Sequence, residues 1–281
     1  MQKRRDIGTL DHPESIEKDL FLEAVFRRYG YDFRQYSSAS ILRRIKAAMN
    51  KERLVTISAL QGRILRDPEC MERFLSVVAV NVTSMFRDPP FYLAFRRRVI
   101  PSLRTYPFIR IWVAGCSTGE EVYSVAIILE EEGLYDRARI YATDICPAVL
   151  EGAQEGIFPL SKMKDYTSNY LAAGGRNEFS SYYKAQYDSA IFKSSLKQNL
   201  TLAQHNLATD ASFNEFNVIL CRNVMIYFNA DLQKQVFQAF HDSLCIYGIL
   251  GLGNKESLRH CEAANAYEAL SKEQRLFRRI R

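Results

Sequence analysis

The chain has 281 residues, 47% of them hydrophobic and 25% charged, a composition that excludes disordered and collagen-like classes and leaves room for one large or two modest domains. No apolar run approaches the roughly 18 residues of a membrane span, and the basic residues 3–5 lead into acids rather than an apolar signal core, so a cytoplasmic protein is expected. The net charge of +6 is uneven: residues 1–110 carry 21 Lys and Arg against 12 Asp and Glu, residues 111–281 carry 17 against 20, and this asymmetry suggests an acidic partner for the first part. The six cysteines are scattered without a Cys-x-x-Cys pair, which predicts reduced, mostly buried thiols and no metal site.

Residues 1–18 read as a polar tail or loose leading helix. Residues 19–29 have helical spacing and stop at Gly30. After the aromatic connector 31–36, Ser37-Ser38-Ala39-Ser40 can cap a second helix from Ile41 to Met49 or beyond, with Arg43, Arg44, Lys46 and Lys51 on its polar surface. Helical patterns continue over 57–65 and 70–78. These segments predict a small basic helical domain over 1–79. A solvated face is the ordinary meaning of such charges, but the asymmetry brings binding of an acidic surface level with it. Residues 80–109 hold a linker, with Pro89-Pro90 at a helix start and a helix over 91–103. Spacing alone favours an ordinary linker over a segment that folds across a site.

Residues 110–124 carry the main signal. Ile111-Trp112-Val113-Ala114 is long enough for a buried strand, Gly115-Cys116-Ser117-Thr118-Gly119 turns sharply, and Glu120-Glu121 open an amphipathic helix running to 132. Strand, glycine turn and helix open nucleotide sites in doubly wound sheets. Two carboxylates directly after Gly119 would repel a pyrophosphate, and the glycine spacing is not Gly-x-Gly-x-x-Gly. S-adenosylmethionine, with a sulfonium, an amino group, ribose hydroxyls and no phosphate, fits better; a purely structural βα turn stays close behind. A second strand over 139–144 ends in Asp144, 25 residues after Gly119. An acid there accepts bonds from ribose hydroxyls, a reading favoured over a helix cap near Pro147.

Residues 157–198 hold five tyrosines and Gly174-Gly175, too long for a standard connection, and predict an inserted subdomain with a small helical piece and a hairpin. Later strands are expected over 200–207, 216–221, 249–253 and 275–280, with a helix over 231–244. Arg222-Asn223 follow the apolar strand 216–221 at its carboxyl end, where open α/β sheets bind ligands.

Five stretches, in this order, resemble the CheR family of chemoreceptor glutamate O-methyltransferases: Asn81-Val-Thr-Ser-Met-Phe-Arg87-Asp88, Ala114-Gly-Cys-Ser-Thr-Gly-Glu-Glu121-Val-Tyr-Ser124, Ala142-Thr-Asp144-Ile145, Gln204-His-Asn206-Leu207 and Cys221-Arg-Asn-Val-Met-Ile-Tyr-Phe228. The resemblance covers about 21–280. It implies an α/β protein: a small all-helical N-terminal domain, then a Rossmann-like S-adenosylmethionine-dependent methyltransferase domain over 110–281 with an inserted β-subdomain at about 157–198. It implies that Asn81, Thr83, Arg87, Ala114, Gly115, Glu121, Asp144, Asn206, Leu207, Arg222 and Asn223 line the cofactor site. Arg87 and Tyr227 would stand at the methyl-transfer point and serve as catalytic residues. The partner implied is the acidic helical methylation region of a receptor, facing Arg43, Arg44 and Lys46, with 157–198 as docking surface for a receptor tail; a monomer without metal is expected. A nucleic-acid substrate on the same fold, or a non-catalytic S-adenosylmethionine or S-adenosylhomocysteine sensor, are the alternatives. Asn217, Cys146, Cys245-Ile-Tyr247 and Gly253-Asn-Lys-Glu-Ser257 depart from the family pattern.

Overall fold

The computed structural model describes residues 12–79 and 83–281, and the chain divides into two compact units, Met1–Val78 and Ala79–Arg281. Among its described residues the first unit has four helices: α1 (Pro13–Tyr29), α2 (Ser38–Glu52), α3 (Ile57–Ile64) and α4 (Pro68–Val78). Phe21, Phe33 and Phe74 meet edge to face in its core, with centroids 5.2 and 6.0 Å apart. α1 begins earlier than its apolar spacing predicts. Pro13 has the φ of a first helical turn, and the His12 ring accepts the Glu14 N–H at 3.4 Å. Gly30 at φ 79° closes it, a conformation open to glycine at little cost. Ser37 is the residue before α2, but its hydroxyl makes no cap bond.

The second unit is a mixed sheet flanked by helices. Its leading helical stretch comprises α5 (Pro89–Ala94), a π-turn (Phe95–Val99) and α6 (Ile100–Leu103). The spacing predicts one continuous helix here. Pro101 lacks an N–H and crowds the carbonyl four residues back, and just ahead of it the Ile100 N–H reaches back five residues to Phe95. Then follow β1 (Ile109–Ala114), α7 (Glu120–Glu131), β2 (Ala138–Asp144) and α8 (Pro147–Glu155). The insertion carries β3 (Ile157–Pro159), α9 (Met163–Ala172), β4 (Tyr183–Gln186) and β5 (Ser189–Phe192), and after it come β6 (Leu200–Gln204), β7 (Phe216–Cys221), α10 (Ala230–Ser243), β8 (Leu244–Leu252), β9 (Tyr267–Ser271) and β10 (Leu276–Arg279).

The large sheet has the order β6-β2-β1-β7-β8-β10-β9. β6, β2, β1, β7 and β8 run parallel, and β10 is antiparallel to both its neighbours. The strand order therefore reverses between β1 and β7, the switch point at which such sheets take ligands at their carboxyl ends. β1 is buried on both faces, as its apolar run predicts; Trp112 is 1% exposed and its indole N–H donates to Thr143 Oγ1 at 2.8 Å. The insertion forms its own antiparallel sheet, β3-β5-β4, with α9 beside it. All six cysteines are free thiols, five of them buried.

Candidate active site

Parallel order places the carboxyl ends of β6, β2, β1 and β7 side by side. Register aligns Asp144 with Gln204, Ala114 with Thr143, and Val113 with Leu220. Thus Ala114-Gly115, Asp144, Asn206-Leu207 and Arg222-Asn223, distant in sequence, follow adjacent strand ends. Gly115 has φ 75°, and a Cβ there would come within 2.4 Å of Val224 Cγ2, so the turn after β1 and the loop after β7 close on one another only through a glycine. Gly119, at φ 94°, leads into α7.

Asp144 sits at the end of β2 and takes no helix-capping role. Its Oδ2 accepts the Ser117 N–H at 2.9 Å and its Oδ1 the Cys146 N–H at 3.1 Å. Burial pushes its carboxyl above the ordinary aspartate range, although these N–H groups draw it back. The Asp144 carbonyl also receives the His205 N–H at 3.0 Å, fixing the start of the next loop. In that loop Asn206 is largely buried; its Oδ1 accepts the Ala208 N–H at 3.0 Å and its N–H donates to Asp210 Oδ2 at 2.8 Å. Leu207 is half-buried beside it.

The two acids opening α7 part company. Glu120 is 1% exposed and accepts from the Thr118 hydroxyl at 2.5 Å and the Tyr166 hydroxyl at 3.0 Å, with the Lys162 ammonium 3.7 Å away. It therefore ties the glycine turn to the insertion. Glu121 Oε1 accepts from Arg222 Nη1 at 2.8 Å and from the Tyr92 hydroxyl at 3.1 Å. Arg222 in turn donates through Nη2 to the Arg87 carbonyl and to Asp88 Oδ2, both at 3.0 Å, and its guanidinium lies 4.0 Å from the Phe91 ring centre. Burial alone would lower the Arg222 pKa; Glu121, Tyr92 and Asp88 together more than reverse this and secure the cation. One buried guanidinium answers two half-buried carboxylates, so the Glu121–Arg222–Asp88 cluster carries a formal net negative charge.

Residues 84–88 are no ordinary linker. Phe86 is fully buried, and Phe86 and Asp88 both take left-handed backbone conformations, at φ 50° and 60°. Such conformations cost of order 1–3 kcal/mol in non-glycine residues and persist where surroundings impose them. Here the Phe86 N–H donates to Ser124 Oγ at 2.9 Å on α7, and Arg222 grips the carbonyl of Arg87. The half-buried Arg87 is thus held next to the end of β7, while Thr83 is half-buried at the start of this segment. Asn81 lies outside the described residues. Tyr227 closes a short 3-10 turn, Met225–Tyr227, and is half-buried.

Glu256 receives no role from sequence reasoning, yet it shapes the same place. Its two oxygens accept the N–H groups of Gly253, Asn223, Val224 and Met225 at 2.7–3.0 Å. Burial raises its carboxyl, against the pull of these four donors. The sequence signal available was a glycine three residues before an acid at a strand end. Ser124, Tyr92 and Asp88 were also missed as supports, because their partners lie far along the chain.

The donor set fits a ligand with a positive centre and hydroxyls. Asp144 and the net-negative cluster at Glu121 supply acceptors, and the glycine turn between them lets backbone approach closely. This fold and this chemistry define a Rossmann-like protein of the S-adenosylmethionine-dependent methyltransferase class. The SAM-binding domain of CheR methyltransferases matches residues 81–274 and their all-alpha domain residues 16–78. The chain belongs to the CheR methyltransferase family. It is 50% identical to Cher3 of Pseudomonas putida over 271 residues, 96% of this chain and 99% of that protein. It is 31% identical to a chemotaxis protein methyltransferase of Listeria innocua over 247 residues, 86% of this chain and 91% of that one. A chemotaxis protein methyltransferase of Salmonella typhimurium is 31% identical over 193 residues, 66% of this chain and 64% of that one.

Proposed function

We propose that this enzyme works in the cytoplasm and methylates glutamate side chains of a chemoreceptor or a similar signalling protein, giving methyl esters. The observation that supports this reading is the strained 84–88 segment, whose backbone Ser124 and Arg222 fix at the carboxyl end of β7, from which the loop carrying Asn223 and Tyr227 leads on. Bound S-adenosylmethionine supplies an electrophilic methyl group on a sulfonium. Asp144 would accept from the ribose hydroxyls, Asn206 and Leu207 would line the cofactor site, and Glu121 with Asn223 would border its positive end. Glutamate, with an unperturbed pKa of about 4.3, is already a nucleophile at neutral pH and asks for no general base. Orientation is then the main task left to the protein, and in favourable intramolecular reactions it is worth roughly 7–11 kcal/mol. Arg87 orients one carboxylate oxygen, and Tyr227 donates a hydrogen bond to the acceptor. Arg43 and Arg44 on α2 attract the acidic acceptor helices, and the insertion offers a surface for a receptor tail.

Methyl transfer onto receptor fragments, read as base-labile label, tests this. Wild type is expected to label glutamates, and Arg87→Ala to lower kcat about 100-fold with S-adenosylhomocysteine binding largely retained. Label that survives base, or full turnover in Arg87→Ala, would remove the glutamate reading or the role of Arg87 respectively. Asp144→Ala is expected to weaken S-adenosylhomocysteine binding at least about 10-fold by calorimetry, since a charge-assisted bond contributes roughly 1.5–3 kcal/mol.

A further inference from the structure

The loop after β7 carries Asn223 and Tyr227, and its backbone would not keep its shape on local grounds. Asn223 is left-handed at φ 62°, and three consecutive N–H groups, at Asn223, Val224 and Met225, point to one side. Successive N–H groups so arranged form a concave anion site. The anion is the chain's own Glu256, 5% exposed, which takes Asn223 on Oε2 at 3.0 Å and Val224 and Met225 on Oε1 at 2.9 and 2.8 Å. Oε2 also takes the Gly253 N–H at 2.7 Å. The fit leaves no spare room: a Cβ on Gly253 would lie 2.8 Å from both Asn223 N and Glu256 Oε2. Register places this turn beside the loop it holds, since Leu252 pairs with Cys221. On its other side the loop presses Val224 onto Gly115, so its position is transmitted to the glycine turn.

We propose that Glu256 is a positioning residue for methyl transfer. Its carboxylate sets the backbone of Asn223–Tyr227, and thereby the Asn223 and Tyr227 side chains, without itself touching cofactor or acceptor. The inference rests on the reading that Asn223 and Tyr227 line the transfer site. Both carboxylate oxygens are needed as acceptors. Glutamine keeps the shape but turns an amide donor toward two N–H groups, which leaves buried donors unpaired.

Glu256→Gln and Glu256→Asp in the full chain test this with two kinds of readout. Amide hydrogen exchange reports the loop itself: in Glu256→Gln the Asn223, Val224 and Met225 amides are expected to exchange at least about 10-fold faster while Val218–Leu220 stay protected, the mark of local opening. S-adenosylhomocysteine titration and methyl-transfer kinetics report the consequence: affinity about 10-fold weaker, and kcat about 100-fold lower with the acceptor KM little changed, as expected for a misplaced site. Glu256→Asp, which keeps the charge, should recover part of both. Unchanged S-adenosylhomocysteine affinity and kcat in Glu256→Gln would overturn the proposal whatever the amides do. So would a loss of activity no greater than the loss of folded protein. If wild type labels no receptor glutamate, the substrate reading fails by itself, and exchange with S-adenosylhomocysteine affinity still decides the role of Glu256.

Discussion

Arg222 shows how one side chain can serve a site by holding other parts of it. Its fork reaches Glu121 on α7 and both the Arg87 carbonyl and Asp88 in the leading segment, and its plane lies on Phe91. Lysine would keep the charge but could neither bridge those three acceptors in a plane nor stack. Removing one partner of a buried pair costs about 3–5 kcal/mol. Arg222→Met, which removes the cation together with its fork, is therefore expected to lower Tm by roughly 10 °C, as read by calorimetry. An unchanged Tm would show that the brace is not stabilising. The position of Arg222 could be read from the sequence because it directly follows an apolar strand. Its role could not, since Tyr92 and Asp88 lie 130 and 134 residues away, and no local pattern records such pairs. The same holds for two departures from the family pattern, Asn217 and Cys245, which meet each other. The Asn217 amide donates to Cys245 Sγ at 3.6 Å, while its Oδ1 accepts the Arg110 N–H at 2.8 Å. An aspartate would keep the second bond and set a carboxylate against the sulfur.

At the scale of elements, α7 is anchored at both ends to the insertion. Glu120 meets Tyr166 and Lys162 at its start, and Glu131 meets Arg96, Tyr170, Tyr182 and the Arg176 N–H at its end. Burial alone would raise the Glu131 carboxyl, but Tyr170, the Arg176 N–H and Arg96 together hold it below the ordinary range. A depressed folded-state pKa means that Glu131 stabilises the protein above its unfolded value of about 4.3, and that this contribution is lost as pH falls from there through the lower folded value. Urea midpoints for wild type and Glu131→Gln should therefore differ at pH 7 and draw together as pH falls below about 4.3 and through the lower folded-state value. A difference that persists at low pH would assign the effect to packing. Helical and parallel-strand elements were largely readable from period and apolar runs, and β7 falls where its run predicts. β8 begins at Leu244, earlier than predicted, because a register shift and the left-handed Tyr247 interrupt its apolar pattern. β9 was not foreseen: Glu268, Ala269 and Ser271 have little strand preference, and pairing with β10 forms it.

At the scale of the whole molecule, the excess of basic residues lies in the part of the chain that includes the helical unit, and there the structure separates cations that composition lumps together. Arg43 and Lys46 on α2 are both exposed to solvent, and Lys46 is bound to Glu14 at 2.6 Å. A cation already paired must break that pair or share it before it can attract an acidic acceptor. Truncating Arg43 should therefore slow association more than truncating Lys46, although the two count equally in the net charge. Exposed charges act chiefly through the rate of encounter, and salt screens them over about 10 Å at 0.1 M. With a receptor fragment as acceptor, Arg43→Ala is expected to lower kcat/KM about 3- to 10-fold at low salt, and Lys46→Ala less. Both differences should shrink toward wild type at high salt, with S-adenosylhomocysteine affinity unchanged throughout. Equal losses in the two variants would mean that the pairing with Glu14 does not shield Lys46. A loss independent of salt would mean that Arg43 makes a specific contact in the complex rather than steering it.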